Sequence, residues 1–307
     1  MLKLFPPQFR GALTLLLGMI STVVCSLPLL VLALVKLAIP GKPVRAVLDP
    51  MLNGIASGCI SFNCLLMNMF QRTRWEVAGV DALALDHWYL VNCNHQSWVD
   101  IFVLQRVFNR RIPLLKFFLK QQLIYVPVIG LAWWALEFPF MRRHSATYLQ
   151  QHPEKRTQDL ETARKACARF AVVPTSVMNF PEGTRYTPAK AKKQRSPYRH
   201  LLRPRAGALG LSLSVLGAQF RSMLDVTIVY PDGLPTFWDF LCDRVPRVVV
   251  DVRQLAVPEA LCGGDYVTDA ALRSALQQWL QGIWLAKDDT IEQILARDAG
   301  AVRRGNQ

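Results

Sequence analysis

The chain has 307 residues, room for one large domain or two small ones at roughly 100–200 residues each. With 51% hydrophobic residues, 19% charged and a positive mean hydropathy it is not a disordered chain, and 17 Gly and 19 Pro exclude collagen-like or linker-dominated sequence. Thirty-six Lys and Arg against 22 Asp and Glu leave a net charge of +14 in a greasy chain, which points to a membrane surface or to nucleic acid.

The first predicted element is an apolar helix. Residues 11–35 are uncharged, rich in Leu, Val and Ile, and bounded by Arg10 and Lys36. As a helix they would run about 37 Å, enough for a hydrocarbon core of about 30 Å. The run is longer than the usual signal-peptide core, and no small-x-small site follows it, so we read an uncleaved anchor in which Pro28 makes a kink rather than an end. A second uncharged run, 50–71, carries Asn53, Asn63, Asn68, Ser57 and Ser61. That much polar side chain is costly in lipid, so a hairpin or interfacial helix packed on the first is as consistent with it as a second span.

From Trp75 onward short β-rich runs alternate with amphipathic ones, the pattern of an α/β domain with a mixed sheet flanked by helices. Strands are predicted at 89–93, 176–180, 225–230 and 247–252, and helices at 99–108 and 157–171. The tail, 268–296, reads as two helices. The organisation expected is a membrane-associated hairpin over 1–72, an α/β domain over 73–262 and a helical tail over 263–307.

Charge is concentrated between Arg142 and Arg205, where fifteen Lys and Arg face four acids and supply eleven of the fourteen net charges. A solvated face with a 190–195 loop would account for it, and so would a surface meeting anionic substrate and headgroups. The seven cysteines are odd in number, scattered and without a C-x-x-C pair, so neither a disulfide framework nor a zinc site is indicated. They suit a body in a reducing compartment.

Two short stretches could carry chemistry. In Asn94-His95-Gln96-Ser97-Trp98-Val99-Asp100 a strand runs through a polar turn into a helix. On one continuous helix His95 and Asp100 would stand about 140° apart. They can meet only if His95 lies in the turn and Asp100 in the first helical turn, a placement that Ser97 and Asp100 favour by resembling a capping box. A capping carboxylate beside an ordinary loop histidine would give the same spacing. The second stretch, Phe180-Pro181-Glu182-Gly183-Thr184-Arg185, leaves an apolar strand. Gly183 frees the backbone to approach a ligand and Arg185 offers a planar fork for phosphate oxygens, although an ordinary strand-exit turn would read alike.

Together these blocks closely resemble the glycerolipid acyltransferase family that includes 1-acylglycerol-3-phosphate O-acyltransferase. Asn94, His95 and Asp100 are similar to its N-H-x-x-x-x-D block and Phe180 to Arg185 to its F-P-E-G-T-R block. Between them, Lys120, Leu123, Pro127 and Gly130 resemble a K-x-x-L-x-x-x-P-x-x-G segment, and Phe140-Met141-Arg142-Arg143 an F-x-x-R block with Arg143 at the motif arginine. Gly130, Trp133, Trp134 and Glu137 are similar to the branch found also in eukaryotes. The last block departs, with Pro231 at the end of its strand rather than within it, which leaves the acyl pocket unsettled. Relatives with glutamate at the aspartate position, which acylate lipid A, are disfavoured by Asp100.

The resemblance implies acyl transfer from acyl-CoA or acyl-carrier protein to a lysophospholipid, with His95 as general base oriented by Asp100 and no acyl-enzyme. Lys120, Arg143 and Arg185 are the implied phosphate ligands, with Gly183 and Thr184 lining the site. Glu182 would contact the glycerol or hold an arginine. No metal or cofactor is called for. The expected location is a bacterial inner membrane with the domain facing the cytoplasm, in contact with anionic lipid and not nucleic acid. A membrane-anchored, non-catalytic binder of anionic lipid or nucleic acid is the alternative, and an esterase lacks a positioned serine.

Overall fold

Strand β2 (Trp88–Cys93) lies at the heart of the domain, and its sequence explains why. Tyr89, Val91 and Cys93 point to one face of the sheet and Leu90 to the other, the period-2 alternation of a strand. With apolar residues on both faces, it is covered on both sides. The structure, a computed structural model, describes residues 5–141, 173–266 and 268–305. The expected helix at 157–171 and residues Arg142 and Arg143 lie outside the described residues.

In chain order the described elements are α1 (Pro7–Ala38), α2 (Lys42–Phe70), β1 (Arg74–Ala78), β2, α3 (Val99–Phe108), β3 (Leu115–Phe117) and β4 (Leu119–Lys120). They continue with a 3-10 turn at Gln121–Tyr125, α4 (Ile129–Ala135), β5 (Phe140–Met141), β6 (Ser176–Asn179), α5 (Pro188–Gln194) and α6 (Gly207–Leu216). Last come β7 (Phe220–Val229), α7 (Phe237–Leu241), β8 (Arg247–Leu255), a 3-10 turn at Glu259–Leu261 and α8 (Ala270–Gly305).

Six strands form a mixed sheet in the order β1-β8-β7-β2-β6-β3, in which β2 runs parallel to both β6 and β7, and β7 antiparallel to β8. On one face Val103, Leu104, Val107 and Phe108 of α3 pack on Val91, Leu224, Val226 and Ile228. On the other, Leu209 and Leu213 of α6 and Leu276, Leu280 and Trp284 of α8 pack on Leu90, Val177, Met223 and Val249. This is the mixed sheet flanked by helices, preceded by a helical hairpin, that the sequence leads one to expect.

Several details differ from expectation. The tail is one helix, α8, not two. The basic 190–195 stretch is not a loop: Thr187 Oγ1 accepts from the backbone of Lys190 and caps α5. The second apolar helix starts at Lys42, earlier than residue 50, and the charges of its first turns are paired: Lys36 bonds Asp49, and Glu137 lies 2.9 Å from Lys36 and 3.0 Å from Arg45. Burial opposes ionisation of Glu137, but the Lys36 hydrogen bond and the charges of Lys36, Arg45 and Lys116 hold its carboxyl below the usual range. Cys25 and Cys59 are joined as a disulfide between α1 and α2, with their Cα atoms 6.2 Å apart. A separation of 34 residues gives the sequence no sign of this pairing, which helix-on-helix packing creates.

The hairpin is tied to the α/β domain along its length. At the start of α1, Arg10 pairs with Asp243, both nearly buried, and Asp243 also accepts from the backbone of Arg72 just past α2. Gly11 permits this approach, since a Cβ there would stand 2.5 Å from the Cys242 sulfur. In the middle, Asn109 donates to Ser61 Oγ at 2.8 Å. At the far end Lys36 and Arg45 meet Glu137, just past α4. Both helices are long and apolar enough to cross a membrane, by length and composition. Pro28 sits inside α1, which continues past it.

Candidate active site

Three parallel strands, β6, β2 and β7, end side by side, the edge at which open α/β sheets hold their ligands. Immediately past β2, the Asn94 side chain accepts from Ile228 N at 2.9 Å and donates to Ile228 O at 2.8 Å. Its amide continues the ladder to β7 after the main chain has turned away. The next residue, His95, is thereby set at the top of the sheet.

Asp100 sits in the first turn of α3 and His95 in the turn before it, so the two meet: His95 Nδ1 lies 2.8 Å from Asp100 Oδ2. Asp100 is fully buried, and the same oxygen accepts from Gln96 N at 2.7 Å and Ser97 N at 2.9 Å. Its other oxygen accepts from the Tyr230 hydroxyl at 2.7 Å. Burial, the adjacent Asp100 charge and this hydrogen bond push the Tyr230 phenol well above its ordinary pKa, which keeps it a donor. The expected capping box is half formed. Asp100 takes the Ser97 N–H, whereas Ser97 Oγ accepts from Val99 N and donates to Pro235 O. An aspartate holding Nδ1–H leaves the Nε2 lone pair of the imidazole as the basic position.

The exit of β6 wraps this loop. Phe180 stacks on His95 with ring centroids 4.1 Å apart. Tyr186 N donates to His95 O at 2.7 Å, and His95 N donates to Glu182 Oε1 at 2.7 Å. The second Glu182 oxygen accepts from Leu202 N at 2.8 Å. Glu182 therefore holds backbone rather than an arginine, and it is 1% exposed. This corrects the expectation from sequence, for which Leu202, twenty residues on, gave no signal. Burial pushes the Glu182 carboxyl up to about 8, against the pull of the two N–H donors. Gly183 has φ +67°, and a Cβ at this position would meet nothing within 4 Å, so the turn, not crowding, requires glycine.

The guanidinium of Arg185 lies over the Trp98 ring, 4.8 Å from its centroid. Lys190 Nζ donates to Thr184 Oγ1 at 2.9 Å and to the Arg185 carbonyl at 2.8 Å. The structure thus brings His95, Asp100, Glu182, Gly183, Thr184 and Arg185 into two interlocked loops. Lys120 is exposed on β4 beside β5, and no hydrogen bond joins it to this cluster among the described residues. Arg143 lies outside the described residues. Trp133 and Trp134 divide: Trp133 packs into the hairpin core and Trp134 is exposed. Tyr230, Trp98 and Lys190 are neighbours that sequence reasoning did not single out; Tyr230 and Trp98 reach Asp100 and Arg185 through tertiary contact, and Lys190 reaches the Arg185 carbonyl from five residues on.

The sequence model of the Acyltransferase family matches residues 74–230, from β1 to the tyrosine beyond β7. The chain belongs to the Acyltransferase family. Among solved structures, this acyltransferase is similar to the crystal structure of the 1-acyl-sn-glycerophosphate (LPA) acyltransferase, PlsC, from Thermotoga maritima. The match has 14% sequence identity and a TM-score of 0.50, covering 93% of this chain and 97% of that one. The likeness is one of fold. Residues 74–230 of the acyltransferase contain all three strand ends described above, and with them His95, Asp100, Arg185 and Tyr230.

Proposed function

We propose that this acyltransferase moves a fatty acyl group from an acyl thioester, acyl-CoA or acyl-carrier protein, to the free hydroxyl of a lysophospholipid. The acceptor that fits best is 1-acylglycerol-3-phosphate, giving phosphatidic acid. The observation that carries the reading is the 2.8 Å pair of His95 with buried Asp100 at the strand ends, one short loop away from an arginine with no carboxylate partner among the described residues.

In this reading His95 Nε2 takes the proton of the glycerol hydroxyl as its oxygen attacks the thioester carbonyl carbon. The tetrahedral intermediate then expels the thiolate, which takes the proton from the imidazolium. Asp100 holds the tautomer and offsets the transient positive charge; general-base help of this kind is worth roughly 10²–10⁴-fold. Arg185 grips the acceptor phosphate, with Lys120 and Arg143 as further candidates. Gly183 and Thr184 shape the loop that carries Arg185. Family membership favours catalysis over passive binding of anionic lipid or nucleic acid.

The test is a matrix of lysophospholipid acceptors against acyl-CoA and acyl-carrier-protein donors. Transfer to lysophosphatidate with at least one donor is expected, and no transfer to any lysophospholipid would end the proposal. In the same assay Arg185→Ala should raise the acceptor KM by roughly ten-fold or more, the worth of one charge-assisted contact. An unchanged acceptor dependence would remove Arg185 from the site.

For location we propose a bacterial inner membrane with the catalytic domain on the cytoplasmic side, where activated acyl donors lie. The outward residues of α1 include Leu16, Ile20, Val23, Leu27, Val31 and Leu34, one apolar helical stripe, while both ends of the helix are bound to the domain. A helix so held rests in one leaflet more readily than it crosses. The exposed Lys192 and Lys193 of α5 and Arg195 just past it would then meet anionic headgroups. A membrane-impermeant thiol reagent should label Pro40→Cys, at the hairpin tip, from the side on which it labels Lys192→Cys. Labelling from the opposite side would mean that the helices cross.

A further inference from the structure

Arg185 is held in an unusual manner for a cation in so basic a region. Among the described residues no carboxylate pairs with it, and its guanidinium instead lies on the face of Trp98. Trp98 stands on the other loop, three residues after His95, and is 52% exposed, so its ring is not there to fill the core. Stacking occupies only the face of a guanidinium and leaves its N–H donors, which radiate in the plane, unspent. The main chain behind Arg185 is fixed separately, because Lys190 Nζ bonds both the Arg185 carbonyl and Thr184 Oγ1. Arg185 is thus braced at its backbone by Lys190 and at its head by Trp98, and among the described residues its planar row of donors makes no hydrogen bond.

We infer that Trp98 is a positioning residue for acceptor recognition: it holds the Arg185 fork flat so that the fork meets two oxygens of the acceptor's phosphate monoester. An arginine on a flexible side chain loses rotamer freedom when it binds, and a ring that pre-orders it removes part of that loss. Because Trp98 leaves the hydroxyl and the thioester alone, its contribution falls on phosphate affinity and not on the proton transfer at His95. The kinetic consequence rests on the acyl-transfer reading, whereas the binding consequence needs no turnover.

The experiment uses the full-length protein in detergent and two measurements. The first is calorimetric binding of glycerol 3-phosphate, a soluble phosphomonoester. The second is acyl transfer to lysophosphatidate and to a phosphate-free monoacylglycerol. Trp98→Ala should weaken glycerol 3-phosphate binding and raise the lysophosphatidate KM by roughly 2- to 5-fold, the worth of one exposed cation–π contact. Its kcat should move less than its KM, the monoacylglycerol KM should hold, and Trp98→Phe should recover most of the loss. Since the ring works through the arginine, Trp98→Ala added to Arg185→Ala should cost little more than Arg185→Ala alone. Additive losses, equal losses on both acceptors, or a wild type that binds no glycerol 3-phosphate would overturn the inference. So would a Trp98→Ala protein that binds glycerol 3-phosphate normally but partitions less to anionic vesicles, since Trp98 would then be a membrane contact. If the binding pattern holds while no lysophospholipid is acylated, the acyl-transfer reading fails and the positioning role stands.

Discussion

Replacing His95 with alanine should abolish acyl transfer to lysophosphatidate, by roughly 10²–10⁴-fold, while leaving the fold and membrane association in place. The fold is spared because the loop is held mainly by groups other than the imidazole. Glu182 takes the His95 backbone N–H, Tyr186 donates to its carbonyl, and Asn94 locks the preceding residue to β7. Asp100→Asn should come close in its effect on rate, for a different reason. The asparagine amide must turn an N–H₂ group either toward His95 Nδ1 and the Gln96 and Ser97 N–H donors, or toward the Tyr230 hydroxyl. The first choice sets the amide N–H₂ against two backbone N–H donors and reverses the imidazole tautomer; the second preserves the tautomer but turns the Tyr230 hydroxyl from donor to acceptor, and either one removes the charge that offsets the imidazolium. Single-turnover transfer, measured beside a thermal melt of each variant, separates lost chemistry from lost structure. Near wild-type transfer by folded His95→Ala protein would sink the general-base assignment.

Lys287→Met should be the most destabilising single change in the α/β body. Lys287 is fully buried on α8, where Nζ bonds the Val226 carbonyl and approaches Thr227 Oγ1 at 3.3 Å. It also stands 2.9 Å from Asp225 Oδ1, near enough for an ion pair although not aligned as a hydrogen bond. Asp225 is fully buried too, and would keep only Arg253 on its other oxygen. Breaking a buried pair by removing one partner typically costs about 3–5 kcal/mol, and the remaining Arg253 places this case toward the lower end. Unfolding in detergent with increasing denaturant measures it; a loss below about 1 kcal/mol would show that Arg253 alone suffices. Asp225→Asn in the same protein should recover part of the loss by removing the orphaned charge. Because β7 also carries Ile228, the partner of Asn94, and leads into Tyr230, the partner of Asp100, the variant should lower turnover as well as stability.

Much of this molecule is legible before folding. A short apolar run bounded by polar residues marks β2, and α3 begins and ends at residues 99 and 108, where its pattern begins and ends. The uncharged 11–35 run lies wholly within α1. The spacing of His95 and Asp100 also states its own geometric condition, a turn followed at once by a helix, and that condition is local. What is not legible involves partners far apart in the chain. Glu182 looks like a ligand in its hexapeptide because nothing nearby shows that His95 and Leu202 will claim both its oxygens. The one-helix tail is decided by α8 packing Leu276, Leu280 and Trp284 on the sheet, which outweighs any local break.

The +14 charge shows the same division. Sequence alone determined that this greasy, basic chain has an apolar N-terminal helix, an α/β body and two blocks bearing His95 and Arg185, since those features are set by composition and by periodicity over a few residues. Tertiary structure alone decided which charges are spent within the fold and which are left for a ligand. Lys287, Arg10 and Lys36 are used in ion pairs with Asp225, Asp243 and Glu137. Arg185 has an aromatic face for company instead of a carboxylate among the described residues. The physical reason is that the Coulomb energy of a charge depends on which groups packing brings within a few ångströms and on how far water is excluded there, and neither is written in the order of residues.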